Sequence, residues 1–282
     1  MTGDAKAPVS VMIFTYNEEI HLRSCIGSLN WAAEVIVVDS YSSDATERIA
    51  RELGARFFQN QFSGFGTQRN WALDHCGPAN EWILMLDADE RVPPELASEI
   101  TKVVESRPEQ VGAYRLKRRF YMWGRWLRYS SLYPNWVVRL VHRDRVRYVD
   151  RGHAETQTVE GEIAELHCDL IDENKRSIDE WFARQNRYAA REAEYELANE
   201  ALTAGWRALL SRDPLRRRAA VKRLSWRMPL RPLFYFCYAY IWRGGFRDGR
   251  DGLVFCFMKA LYQGMIVVKK YDAHRGAAGH GS

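Results

Sequence analysis

Residues 82–90 read Trp82-Ile83-Leu84-Met85-Leu86-Asp87-Ala88-Asp89-Glu90, an apolar run that stops on two carboxylates one residue apart, with a third acidic group behind them. The run fits a strand, and side chains alternate along an extended segment. Asp87 and Asp89 can therefore point the same way and grip a divalent cation through hard oxygen ligands. A cation held like this can bridge a diphosphate.

The segments before this run repeat a strand-then-helix pattern. Val9 to Phe14 is a short β-branched, apolar strand, and Leu22, Ile26 and Leu29 follow at the spacing of one helical face. Val35 to Val38 forms a second strand. Ser43 or Asp44 caps the helix that carries Ile49 and Leu53, and Gly54 ends it. Arg56 to Phe58 predicts a third strand, and a helix around Asn70 to His75 leads into the Trp82 strand. This alternation predicts an α/β fold with a wound sheet. Ligands of such sheets sit beyond the carboxyl ends of the strands, so the polar groups after Phe14, Val38 and Leu86 should share one edge.

After the Trp82 run the pattern changes. Ala113 to Tyr121 and Trp136 to His142 read as strands that complete the sheet, and Ser177 with Glu180 forms a capping box for a long helix. The expected division is a catalytic domain over 1–170, a helical, amphipathic C-terminal extension over 171–271, and a disordered tail over 272–282. With 282 residues, 46% of them hydrophobic, the chain can fill a sizeable core, which excludes a disordered polymer. Five scattered cysteines without metal-ligand spacing, and no basic-then-apolar leader, predict a reduced, cytoplasmic setting.

Three polar elements lie at strand ends: Thr15-Tyr16-Asn17-Glu18-Glu19, then Asp39-Ser40 with Ser42 to Thr46, then Asp87-Ala88-Asp89. A tyrosine ring can stack on a base, and a carboxylate at a strand end can accept a hydrogen bond from a base N–H. In this order and spacing, over roughly residues 8 to 100, the elements resemble the family 2 glycosyltransferases, inverting enzymes with a GT-A fold that use nucleotide-sugars. The resemblance implies a Rossmann-like wound, mixed sheet. It also implies that Thr15, Tyr16, Glu18 and Asp39 contact the donor, with Tyr16 on the uracil or other base. Arg69, in Thr67-Gln68-Arg69-Asn70, would touch the nucleotide. Asp87 and Asp89 would form the Asp-x-Asp element that holds Mg2+ or Mn2+ with a UDP-sugar, Asp89 being the more direct ligand.

Inversion needs a base for the attacking hydroxyl, and a carboxylate suits that place. Arg151-Gly152-His153-Ala154-Glu155 resembles a signature of the lipopolysaccharide-core β-glucosyltransferase-like members, implying Glu155 as base and His153 as a further metal or phosphate ligand. His167 and Asp169 are the competing pair. Arg139, in Trp136-Val137-Val138-Arg139-Leu140, resembles the same subgroup's Arg-Leu element and would face the diphosphate or the acceptor. Gly64-Phe65-Gly66 lacks a third glycine and the right strand context, which argues against a dinucleotide loop.

Between Trp206 and Arg231 stand nine Lys or Arg against the single Asp213, interleaved with Trp and Leu. Pro232 to Trp242 is uncharged and aromatic, and Leu253 to Val268 is interrupted only by Lys259. Neither stretch reaches the roughly 20 clean apolar residues of a spanning helix. The expected arrangement is a helical platform at the surface of anionic lipids, peripheral on the inner face of a bacterial cytoplasmic membrane. The acidic sheet edge argues against nucleic acid as a partner. The implied activity is transfer of a hexose to a hydroxyl of a membrane-associated glycolipid or saccharide of the cell envelope. The alternatives are a sugar-phosphate nucleotidyltransferase, which would need a Gly-rich basic loop where Thr15 to Glu19 is acidic, and a catalytically inactive peripheral membrane protein.

Overall fold

The computed structural model describes residues 6–106, 108–151, 154–199, 224, 226, 228 and 230–279. The apolar runs form strands Ala7–Thr15 (β1), Ala32–Asp39 (β2), Arg56–Gln59 (β3) and Trp82–Asp87 (β4). Helices Glu19–Gly27 (α1), Thr46–Glu52 (α2) and Phe65–His75 (α3) alternate with them. After β4 come the short strand Glu90–Arg91 (β5) and helix Pro94–Glu105 (α4), then strands Val111–Met122 (β6), Arg125–Trp126 (β7) and Asn135–His142 (β8). Strands Val146–Arg151 (β9) and Ala154–Val159 (β10) form a separate two-stranded sheet, and Glu162–Asn174 (β11) returns to the main one.

The main sheet has nine strands in the order β3-β2-β1-β4-β8-β6-β11-β5, with β7 paired to β6. The first four are parallel, as strand-helix-strand crossovers require. β8 then runs antiparallel to both β4 and β6, which makes the sheet mixed. This is the wound, mixed sheet of the GT-A fold. Two apolar clusters cover its faces. Leu22, Ile26, Leu96 and Ile100 pack on Val11, Leu84 and Leu86, while Ala72 packs on Met12, Ile83 and Met85.

Register places the expected polar groups side by side. Thr15 pairs with Asp39, and Phe14 pairs with Asp87, so the last residues of β1, β2 and β4 share one edge. The pairing of β6 with β8 steps from Tyr114–Leu140 to Arg115–Val138, which leaves Arg139 as an extra residue in a β-bulge. A bulge re-aims the side chain it carries.

The chain divides into two compact units, one comprising Met1–Asp150 with Ala154–Arg176, the other Arg151–His153 with Ser177–Ser282. Strand β11 runs through position 170, so the helical unit begins at the capped helix Ile178–Ala198 (α5). Its Ser177–Glu180 capping box is formed in both directions. Helix Arg231–Phe236 (α6), a π-helical turn Cys237–Trp242 and a 3-10 turn Gly245–Asp248 lead into the long helix Gly249–Gly279 (α7). The basic stretch from Trp206 lies largely outside the described residues. Residues 272–279 continue α7, whose Ala273, Ala277 and Ala278 favour helix, and residues 280–282 lie outside the described residues. By length and composition Gly245–Arg275 is apolar enough to cross a membrane, with 44% of its most apolar window buried in the protein, whereas Leu253 to Val268 alone falls short of a span. All five cysteines are free thiols.

Candidate active site

The shared edge of β1, β2 and β4 is built by short polar contacts. Asp39, fully buried, accepts from the Thr15 hydroxyl at 2.9 Å, from the Ser42 N–H at 2.8 Å and from the Ser42 hydroxyl at 2.5 Å. Those bonds fold the β2–α2 loop against β1. Asn17, at φ 53°, accepts the Ser43 N–H through its side chain, and its own N–H donates to the Ser42 hydroxyl. Tyr16 next to it stands 56% exposed, a ring open to a stacking partner. Glu18 is held by Arg176 at 2.7 Å and by His21 Nδ1 at 2.7 Å. His21 Nε2 accepts the Lys175 N–H at 3.0 Å, which puts the imidazole proton on Nδ1, facing Glu18.

Helix α3 is placed by a remote carboxylate. Asp150 accepts from the Gly66 N–H at 2.7 Å and from the Thr67 N–H and hydroxyl at 3.1 and 2.6 Å, satisfying donors that a helix N-terminus leaves free. A Cβ on Gly64 would sit 2.3 Å from that carboxylate, so the Gly64-Phe65-Gly66 sequence serves this close approach. Asn70 exchanges two hydrogen bonds with the backbone of Tyr148, fixing the same helix against β9.

The helix thereby delivers Arg69 to the end of β4. Arg69 Nη2 binds Asp87 Oδ1 at 3.1 Å, and its Nε binds Glu155 Oε1 at 3.0 Å. From the bulge in β8, Arg139 Nη2 reaches Asp87 Oδ2 at 2.5 Å and Glu90 Oε1 at 2.6 Å. Arg118 of β6 pairs with Glu90 at 3.3 Å and with Asp172 at 3.2 Å. Among the described residues, five carboxylates (Asp87, Asp89, Glu90, Glu155, Asp172) stand at this edge with three guanidiniums (Arg69, Arg118, Arg139), which pair with all of them but Asp89, a difference of two. Asp89 is the one that forms no ion pair among the described residues.

The two aspartates consequently differ in proton affinity. Burial alone would raise the Asp87 carboxyl, but Arg139, then Arg69 and Arg118, hold it well below the usual carboxylate range. Burial pushes Asp89 well above that range, and the negative charges of Asp172, Glu18, Asp87 and Glu90 push it further. An unpaired carboxylate in a negative surround is a place where a cation is stabilised. Hard carboxylate oxygens fit Mg2+ or Mn2+. Among the described residues no group of three or more His, Cys, Asp or Glu side chains could hold a metal by itself.

The residues expected at the site stand in different surroundings. Thr15, Arg69 and Arg139 are buried, at 4%, 3% and 5% exposure, and each is engaged by a carboxylate, whereas the Tyr16 ring is open to solvent. Asp87 shares its oxygens with two arginines, which leaves Asp89 as the unpaired member of the pair. His153 lies outside the described residues. Asp169, a candidate base, instead pairs with Arg119 at 2.6 Å and Lys117 at 3.5 Å and accepts from the Tyr133 hydroxyl at 3.0 Å, while His167 is exposed, with its N–H on Glu99. Arg118, Asp172 and Arg176 escaped the sequence reading, because their partners are 28 or more residues away.

Comparison with known proteins gives the family of the chain. Residues 10–163, just over half of the chain, match the profile of Glycosyl transferase family 2. The lipopolysaccharide core biosynthesis glycosyltransferase LpsC of Rhizobium meliloti is 25% identical over 276 residues, 95% of this chain and 94% of that protein. An uncharacterized glycosyltransferase of Rickettsia typhi is 38% identical over 111 residues, but the match spans only 39% of this chain and 37% of that one. Among solved structures, glucosyl-3-phosphoglycerate synthase from Mycobacterium tuberculosis, in complex with Mn2+ and UDP-glucose, aligns with a TM-score of 0.42 at 18% identity, over 67% of this chain and 79% of that one.

Proposed function

Because this chain belongs to glycosyltransferase family 2, we propose that it moves a hexose from a UDP-sugar to a hydroxyl of a membrane-associated envelope glycolipid, with inversion and with a divalent metal. The observation that carries the reading is the unpaired Asp89, set among carboxylates that outnumber their arginine partners by two at the carboxyl edge of the sheet. The likeness to LpsC along nearly its whole length supports an acceptor of the lipopolysaccharide-core kind.

In this proposal the Tyr16 ring carries the base of the donor, and the Asp39–Thr15–Ser42 contacts keep that edge shaped. Asp89 would hold the metal, with Asp87 beside it and His153 as a candidate further ligand. Bound there, the ion would offset the charge that gathers on the leaving diphosphate. Arg69 pins Glu155 through Oε1, and the other oxygen, Oε2, takes the proton from the acceptor hydroxyl. The hydroxyl oxygen then bonds to the anomeric carbon as the carbon–diphosphate bond breaks on the opposite side, so the configuration inverts.

The C-terminal unit supports a membrane-bound acceptor. Leu233, Phe234, Ile241, Phe246 and Phe257 are exposed, and Trp242 is 84% exposed. A run of exposed apolar and aromatic side chains beside the basic stretch suits an interfacial helix on anionic lipid. The enzyme would then work in the cytoplasm on the inner face of the membrane. Calorimetry of UDP and UDP-sugars with and without Mn2+ tests the donor reading, and binding that ignores the metal would sink it. NMR of the anomeric proton in the product tests inversion.

A further inference from the structure

Strand β6 carries a row of cations that the mechanism above does not use. Ala113 packs in the same cluster as Ile83 and Met85, so alternation along β6 and β4 puts Arg115, Lys117 and Arg119 on the sheet face that also bears Asp87. In register, Lys117 stands opposite Trp136 of β8. The Arg115 guanidinium and the Lys117 ammonium lie 5.0 and 5.7 Å from the centre of the Trp136 ring. Arg119 and Arg128 lie 5.1 and 5.3 Å from that of Trp126.

The carboxylates on this face do not balance the cations. Glu165 pairs with Arg115, and Asp169 takes both Lys117 and Arg119. Among the described residues, the four cations Arg115, Lys117, Arg119 and Arg128 stand against two carboxylates, an excess of two positive charges. Arg128 is exposed, forms no ion pair among the described residues, and rests between the Trp126 and Tyr129 rings. Stacking on rings holds these long side chains in place before a ligand arrives, so an anion gains their charge without the full cost of ordering them. β6 lies two strands from β4, or roughly 10 Å at the usual spacing between strands.

We infer that this face binds an anionic sugar of the acceptor, one bearing a carboxylate or a phosphate, beside the hydroxyl that is glycosylated. The inference rests on the glycosyltransferase reading of the Asp89 site. A saccharide fits better than a lipid surface because the Trp126 and Trp136 rings are covered by cations, which leaves no open aromatic face here of the kind Trp242 presents at 84% exposure.

The test is ligand-observed NMR titration of the full chain with glucuronic acid, glucose 6-phosphate, glucose and inorganic phosphate, alongside calorimetry of UDP with Mn2+. At least one acidic sugar should bind while glucose does not, and glucose 6-phosphate should outbind inorganic phosphate. Arg128→Glu should weaken the acidic sugar at least tenfold and Arg128→Ala severalfold, with UDP affinity unchanged in both. Equal binding of glucose, equal binding of inorganic phosphate, or indifference to Arg128→Glu would overturn the inference. So would a loss of flotation on anionic vesicles in Arg128→Glu with sugar binding intact, which would make this a lipid face. If UDP binds with Mn2+ and acidic sugars do not, this inference fails alone; if UDP itself does not bind, the reading beneath it fails first.

Discussion

In the sheet unit, charged groups are drawn inward: Arg69, Arg139 and Glu90 have almost no solvent contact. In the helical unit apolar groups are turned outward, with Trp242 84% and Ile241 63% exposed. Each arrangement is costly by itself, since buried charge loses hydration and exposed apolar surface orders water. The sheet unit compensates most of its cost internally through arginine–carboxylate pairs and leaves Asp89 without an ion pair among the described residues. In the helical unit Trp242 is left 84% exposed among the described residues. Where a protein leaves such a cost standing is where its partners should be sought.

Five substitutions test this contrast, in decreasing order of effect. Glu155→Gln removes the base while keeping the shape of the side chain, and kcat should fall by about 10²–10⁴ with UDP affinity intact; transfer at a near-normal rate would place the base elsewhere. Asp89→Asn should lower Mn2+-dependent UDP affinity on the order of 100-fold, measured by calorimetry.

The same substitution should have the opposite effect on stability. Because the folded state raises the Asp89 pKa, the unfolded chain binds fewer protons between the ordinary aspartate value and the raised one, and the metal-free protein loses stability as pH climbs through that window. Asp89→Asn should therefore raise the metal-free Tm by a few degrees at neutral pH and flatten its fall with pH. A lower Tm would mean that Asp89 is compensated after all.

Asp87→Asn is predicted to do the reverse, since it leaves Arg139 and Arg69 each short of a charged acceptor in a buried setting. A loss of about 2 kcal/mol in urea unfolding is expected. Trp242→Arg should weaken partition onto anionic vesicles by about fivefold, with UDP binding unchanged; unchanged flotation would remove Trp242 from the membrane face. Arg48→Ala, in an exposed pair with Glu52, should leave Tm unaltered, which sets the baseline for the other charge changes.

Much of the sheet could be read from short apolar runs because strand formation depends on residues close in sequence. Val9 to Phe14, Val35 to Val38 and Trp82 to Leu86 all lie within the observed strands, and Ser177 caps its helix as read. Asp87 and Asp89 were legible as a pair, but their unequal state was not. That inequality depends on Arg139 in a bulge and Arg69 on a helix whose N-terminus is fixed by Asp150, 83 or more residues away. The row Arg115, Lys117, Arg119 was visible as charge, but its rings come from β7 and β8.

The sequence by itself determined the alternation of strands and helices, the edge on which polar groups would collect and the family to which they belong, since these follow from local periodicity and the spacing of motifs. Only the tertiary structure decided which carboxylates are neutralised and which one stays unpaired, because an ion pair depends on strand register and helix placement, and these bring together residues that the chain keeps far apart.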